Sequence, residues 1–367
     1  MNEPFGLTLR AVELFSLLLL VLLAALFLYL SLRKNTINRN QRRFSESLRA
    51  LQEGDSALQQ YLESGKEGRL LHQGRLVESP PVRAALQHRL TVSGSQQERE
   101  RIYAFARRHF RGNYTRMLKS RRWSRRVNAL LEIELFRIDS LKSELTDMLN
   151  RRRRISEEER FLIMRIFAVF HDPELLKLLR QEAITDRLSE AQLLQLLLPL
   201  GPQIREELIA DLSGYPLRVQ MAAVDALRLG NDRTSAVLGL LETLLNSTEI
   251  ELRIRSLNAL SNFGYMSPEG EKAFQSLLHE GPGSSAEEQQ ARARLMGSIR
   301  DEAYKPHLNS LLGDPSYAVR QTAADSLSRY RSGEELLLRV ISSHPDRYAR
   351  EMAEETLERK RYEGIFH

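Results

Sequence analysis

A nine-residue pattern recurs along the chain and leaves few folds open to it. An apolar or small residue is followed by Arg, small residues stand at the fifth and eighth positions, and Leu closes the ninth. The clearest copies are Val319-Arg320-x-x-Ala323-x-x-Ser326-Leu327 and Ala349-Arg350-x-x-Ala353-x-x-Thr356-Leu357. Leu252-Arg253-x-x-Ser256-x-x-Ala259-Leu260 and Val219-Gln220-x-x-Ala223-x-x-Ala226-Leu227 share the spacing, and Ala291-Arg292-x-x-Leu295-x-x-Ser298-Ile299 is a weaker copy. Val82-Arg83-x-x-Leu86-x-x-Arg89-Leu90 and Arg125-Arg126-x-x-Ala129-x-x-Glu132-Ile133 fit loosely. Positions one, five, eight and nine lie on one face of a helix, and small residues there admit a close neighbour. Because one helix pair cannot bury both its faces, such pairs must stack.

Helix boundaries recur at matching intervals. Ser95, Ser156, Ser189, Ser285 and Ser332 each stand three residues before Glu or Gln, the capping-box spacing. Ser267-Pro268 places a cap before a first-turn proline. Asp172-Pro173, Pro216, Asp314-Pro315 and Pro345 mark breaks. Strand-type runs are scarce and aromatics are 7% of residues, which disfavours an all-β fold.

On these residues the chain resembles the HEAT-repeat family, in particular the short bacterial HEAT-like repeats first associated with phycobilisome lyases. The resemblance is strongest over residues 214–361, looser over 82–200, and does not cover 1–81. It implies an all-α, right-handed α-solenoid of stacked antiparallel helix pairs, the armadillo-type architecture, with the motif helices lining the concave surface. It also implies that Asp225 and Asp325 form a structural ladder between repeats with Arg253, Arg292, Arg320 and Arg350. Gly297 interrupts that column.

Residues 14–32 form a nineteen-residue run without charge, eleven of them Leu. As a helix the run spans about 28 Å, close to the roughly 30 Å hydrocarbon core of a bilayer. Arg10 is offset by Glu13 and no small-x-small cleavage site follows, which argues against a removed signal peptide. Arg33, Lys34, Arg39, Arg42 and Arg43 come after the run, and such clusters stay cytoplasmic. The expected layout is a short extracytoplasmic segment over 1–13, a transmembrane helix over 14–32, a basic juxtamembrane segment and helical linker over 33–81, degenerate repeats over 82–200, clear repeats over 201–361 and a tail over 362–367. That is a single-pass protein of a cell inner membrane with a cytoplasmic body. The absence of Cys fits that compartment and rules out disulfides and thiolate metal sites.

The net charge of +6 is uneven. Residues 1–43 carry six basic and two acidic side chains, and residues 99–126 carry eleven basic and one acidic, so the remaining body is net acidic. The second cluster comprises Arg99, Arg101, Arg107, Arg108, Arg111, Arg116, Lys119, Arg121, Arg122, Arg125 and Arg126, interleaved with Tyr103, Phe105, Phe110, Tyr114 and Trp123. Three readings fit it. It is a surface for anionic lipid headgroups or an acidic protein; it binds nucleic acid through phosphate contacts and base stacking; or its aromatics are core and its arginines pair with Glu132, Glu134 and Asp139. The run 151–154 extends the same basic surface or ends a helix, where cations are favourable.

No catalytic constellation stands out. The eight His are scattered without an H-x-x-x-H pair, and no glycine-rich phosphate loop is present. Gly281-Pro282-Gly283 is a linker, and Glu157, Glu158 and Glu159 suit the first turn of a helix. The chain is therefore expected to be a non-enzymatic scaffold without cofactor or metal, binding a protein partner at the membrane, with envelope or polysaccharide machinery as a candidate setting. The alternatives are a lyase-like enzyme, which would need residues such as His171, His279 or His307 gathered in one pocket, and a nucleic-acid-binding protein acting through 99–126.

Overall fold

The computed structural model describes the backbone of residues 3–52, 56–66, 79–92, 95–150, 155–279 and 285–365, with side chains from residue 15 onward. The Arg10 and Glu13 side chains, most of the turn-rich joint at 64–81, the basic run 151–154, Gly281-Pro282-Gly283, His72 and His367 lie outside these. Among the described residues the chain is all-α, with no strand, and it divides into two compact units, 1–159 and 160–367.

The first unit opens with α1 (Glu3–Gln52), which continues unbroken past the apolar run. Residues 15–47 of α1 are exposed, and only Leu48 and Leu51 are half-buried, where the helix meets α2 (Ala57–Ser64) and α3 (Pro80–Val92). Ser56 caps α2 by accepting from the Gln59 N–H (3.2 Å), and Gly65 ends it in the left-handed region at φ 76°. Next come α4 (Gln96–His109), capped by Ser95, then α5 (Arg111–Leu118), α6 (Trp123–Leu135) and α7 (Lys142–Asn150). An aromatic chain fills this core. Phe105 lies 5.4 Å from Tyr61 and 5.8 Å from Phe110, which in turn packs 5.5 Å from Phe136, all centroid to centroid. These two contacts of Phe110 are edge-on, and such contacts add about 0.5–1.5 kcal/mol each beyond area burial.

The second unit takes up α8 (Glu157–Val169), whose N-terminal turn belongs to the first. It continues with α9 (Glu174–Leu179), α10 (Glu182–Thr185), α11 (Glu190–Leu197), α12 (Pro202–Ala210), α13 (Leu217–Leu229), α14 (Ser235–Leu244), α15 (Ile250–Leu260), α16 (Pro268–His279), α17 (Ala286–Ile299), α18 (Lys305–Leu311), α19 (Tyr317–Ser328), α20 (Gly333–Ser343) and α21 (Arg347–Tyr362). The motif helices α13, α15, α17, α19 and α21 pack each against the next, and companion helices such as α14 and α16 form a second row. This is the stacking that the nine-residue pattern demands. Its first-position residues Val219, Leu252, Ala291, Val319 and Ala349 are all buried, as are Ala323, Ser326, Ala353 and Thr356 at the small positions.

The capping signals are realised with one exception. Ser189 and Gln192 bond reciprocally, as do Ser156 and Glu159, and Ser285 accepts from the Glu288 N–H. Ser332 makes no cap bond. Gly333 starts α20 there, and the Ser332 hydroxyl instead accepts from Lys305 Nζ (3.3 Å).

Gly297 has a packing reason. A Cβ on it would lie 2.5 Å from the Ser326 side chain, whose hydroxyl donates to the Ala293 carbonyl at 2.8 Å. The glycine lets α17 and α19 approach closely at this point. Gly297→Ala is therefore expected to destabilise the protein by about 1–3 kcal/mol through overpacking. Gly239→Ala, in α14 with nothing within 4 Å of the new methyl, should be neutral or stabilising. Thermal melts of the two variants compare them directly.

Candidate functional site

The basic segment 99–126 folds into α4, α5 and the turn into α6, and its residues part company there. Phe105, Phe110 and Tyr114 are fully buried. Tyr114 donates to Glu132 (2.6 Å), and burial in that contact pushes its pKa well above the usual tyrosine range. Tyr103 lies beneath the Arg137 guanidinium, 5.3 Å from its centroid. Trp123 alone of the five rings is fully on the surface, 49% exposed, with Nε1 donating to Ser156 (3.1 Å). Three of the five interleaved aromatics are therefore core, and among the described residues the segment offers no run of stacked rings for successive bases.

The cations also divide. Arg101 donates to the Leu62 carbonyl (2.6 Å) and holds the end of α2. Arg107 faces Asp139 (3.6 Å) and Arg111 faces Glu144 (3.7 Å). Glu132 is taken by Arg83 of α3 rather than by the cluster. Arg126 is half-buried. Its Nε and Nη2 grip the two Glu159 oxygens at 2.5 and 3.1 Å, and its Nη1 donates to the Ser120 carbonyl at 2.9 Å. Arg126 is a structural clamp and not part of an accessible surface. Arg99, Arg108 and Arg116 are engaged locally. Lys119, Arg121, Arg122 and Arg125 are exposed, and among the described residues their side chains meet no carboxylate. These four cations flank Trp123 in sequence at the α5–α6 turn. On α1, Arg33, Lys34, Arg39, Arg42 and Arg43 are likewise exposed.

Glu159 is the residue whose role the sequence hid. It reads as a first-turn acid, yet it is fully buried. Burial raises its pKa, but the hydrogen bonds from Arg126 and from the Ser156 N–H outweigh this and hold the carboxyl below its ordinary range. Glu288 repeats the arrangement in the second unit. It is fully buried and bonded by Arg253 (both oxygens, 3.1 Å) and Arg292 (2.9 Å), and its pKa is likewise depressed against the effect of burial. The shared signal was a capping-box Glu standing 33 or 35 residues after a motif arginine.

The ladder residues do not pair with one another. Asp225 meets Arg255, and Asn258, also at a seventh position, meets Arg294, so these two rungs run to the fourth position of the following motif. Asp325 meets Arg359 at 2.5 Å. Arg320 and Arg350 reach back to carbonyls of their own preceding turn, Asp314 (2.8 Å) and His344 (2.6 Å). Helical geometry explains the shift. The second position points down over the preceding turn, while the fourth lies across the groove from the neighbour's seventh.

His279 and His307 lie side by side with ring centroids 6.3 Å apart, and His171 Nδ1 accepts from the Gly201 N–H (2.9 Å). Among the described residues no group of three His, Asp or Glu is placed to hold a metal ion. Among the described residues one helix, α1, is long and apolar enough to cross a membrane, with a mean hydropathy of 2.7 over its best window and none of that window buried.

The repeating rungs and the two rows of helices in the second unit have a counterpart among known families. Residues 277–358 match the HEAT repeats family. The HEAT-repeat match covers α17 to α20 and most of α21, and so includes the two clearest motif copies, on α19 and α21, and the weaker one on α17. No curated protein matches the chain. HEAT repeats form helical scaffolds for protein interaction, and the packed rows here have that character.

Proposed function

We propose that the chain is a membrane-anchored scaffold. In this reading residues 14–32 of α1 span the inner membrane of a bacterial cell, the helical body lies in the cytoplasm, and the turn at 119–125 docks an acidic surface of a protein partner, with envelope or polysaccharide machinery as its setting. The observation that carries the docking site is the exposed Trp123 in a turn with four exposed cations that meet no carboxylate among the described residues. Trp and Arg are the residues most enriched where interfaces gain their energy.

The choice of protein over lipid rests on α1. Beyond the apolar run, residues 33–47 form an exposed helix that reaches about 22 Å before its first contact with the body. That is more than two Debye lengths at physiological salt, about 8 Å each, so headgroup charge acts on Arg33, Lys34, Arg39, Arg42 and Arg43 and is screened at the body. The test is a photocrosslinking residue at position 123 of the full-length chain in membranes. A discrete crosslinked protein that disappears when Arg121, Arg122 and Arg125 are changed to Glu is the expected result. Crosslinking to lipid, or to nothing, overturns the docking assignment.

A further inference from the structure

A cavity of about 620 Å³ opens where α15, α17, α19 and α21 of the second unit end, within the size range of small-molecule sites. Arg300, Arg329, Arg331 and Lys360 line it. Only Lys360 has a carboxylate, Glu363 at 2.8 Å. Other acids close by in sequence are committed: Glu302 to Lys305, Asp325 to Arg359 and Glu334 to Arg361, while Asp301 caps the Ala303 N–H. Among the described residues the three guanidiniums meet no carboxylate.

Helix C-termini attract cations, which is the ordinary reason to find Arg there. Four helix ends contribute about half a negative charge each. Three unmatched guanidiniums exceed that by about one full charge. Arg300 supplies a second, independent sign. It ends α17 in the left-handed region at φ 63°, the conformation for which glycine is the usual residue. Its side chain reaches the cavity wall.

The hydroxyls in the wall define the rest of the ligand. Ser261, Ser298 and Ser328 spend their protons on the Leu257, Arg294 and Asp325 carbonyls. What they offer the cavity is lone pairs, which accept from a donor. We infer that this cavity binds a small hydroxylated anion, a sugar carrying a phosphate or carboxylate. The guanidiniums bind its acid group through charge-assisted bonds and the serine oxygens accept from its hydroxyls.

Calorimetric titration of the full chain with glucose 6-phosphate and, separately, glucuronate tests this. Saturable binding of at least one is expected, weakened about tenfold or more in Arg300→Gly and in Arg331→Gln, since hydrogen bonds to charged groups are lost. Arg300→Gly should keep or raise the melting temperature, because it relieves the left-handed backbone; this separates loss of a ligand contact from loss of the fold. The tighter of the two probes identifies the acid group. No saturable binding of either, or binding unchanged in both variants, overturns the inference. Inorganic phosphate binding as tightly as the sugar overturns the hydroxylated class.

Discussion

Glu288→Gln is expected to cost about 3–5 kcal/mol, the penalty for removing one partner of a buried ion pair. The carboxylate is fully buried between Arg253 and Arg292, and Arg292 is itself 3% exposed, so the change strands a cation with no water to replace the lost partner. Arg292 already keeps its Nε buried without a hydrogen bond and has no reserve. For a domain of this size each kcal/mol moves Tm by about 2–4 °C, so a circular-dichroism melt should fall by about 10 °C. Glu287→Gln, one residue earlier and exposed, should stay within about 0.5 kcal/mol. Equal melts for the two variants would show that the Glu288 rung does not hold α15 to α17.

Arg126→Ala carries the second large effect. It leaves the Glu159 carboxylate buried and unpaired and takes a donor from the Ser120 carbonyl, again at about 3–5 kcal/mol. Changing Arg121, Arg122 and Arg125 to Glu should leave the melt nearly unchanged, since these side chains are exposed and meet no carboxylate. The contrast separates the clamp from the surface beside it. Acid should erase the clamp's advantage. Glu159 and Glu288 have folded pKa values held below the ordinary carboxylate value of 4.5. Groups shifted this way stabilise the fold fully above the unfolded pKa, and the contribution is lost as pH falls through the folded one. The melting temperatures of the parent and Arg126→Ala should therefore differ most near neutral pH and converge as pH drops below 4.5. A gap of constant size would mean that Arg126 acts by packing alone.

The motif arginines were legible as a column, and their helices stand where the periodicity puts them. What each arginine bonds was not. Arg126 sat in a loose copy of the pattern and in a conspicuous basic run at once, and composition favoured the run. Its true partner, Glu159, lies 33 residues on, a separation that becomes a contact only after two helices have stacked. Gly297 looked like a gap in a ladder because a single sequence cannot show the Ser326 side chain on the neighbouring helix. The Asp225 rung reached Arg255 instead of Arg253 because the choice between two arginines on one helix depends on how far its neighbour is rotated. Apolar spacing fixes which face is buried, but it leaves that rotation open by a residue or two. The aromatics of 99–126 follow the same logic. Their helical spacing suited a core and a stacking platform equally, and only the packed Tyr61–Phe105–Phe110–Phe136 chain decides between them.

The exposed length of α1 has a consequence for cooperativity. A lone helix of about fifteen residues is marginal in water, because its first turn is costly to nucleate and each further residue returns little. Residues 33–47 include Asn35, Thr36, Asn38 and Asn40, all weak helix formers, and among the described residues they stay exposed. Such a segment stays helical by inheriting turns already formed at both ends, from the apolar run on one side and from the Leu48–Leu51 contact with the body on the other. In a bilayer the two ends propagate toward each other and the spacer is a rod. Cut from its apolar end, the same residues keep one nucleus and fray toward the other, so under the proposed anchoring the distance that α1 sets depends on the bilayer.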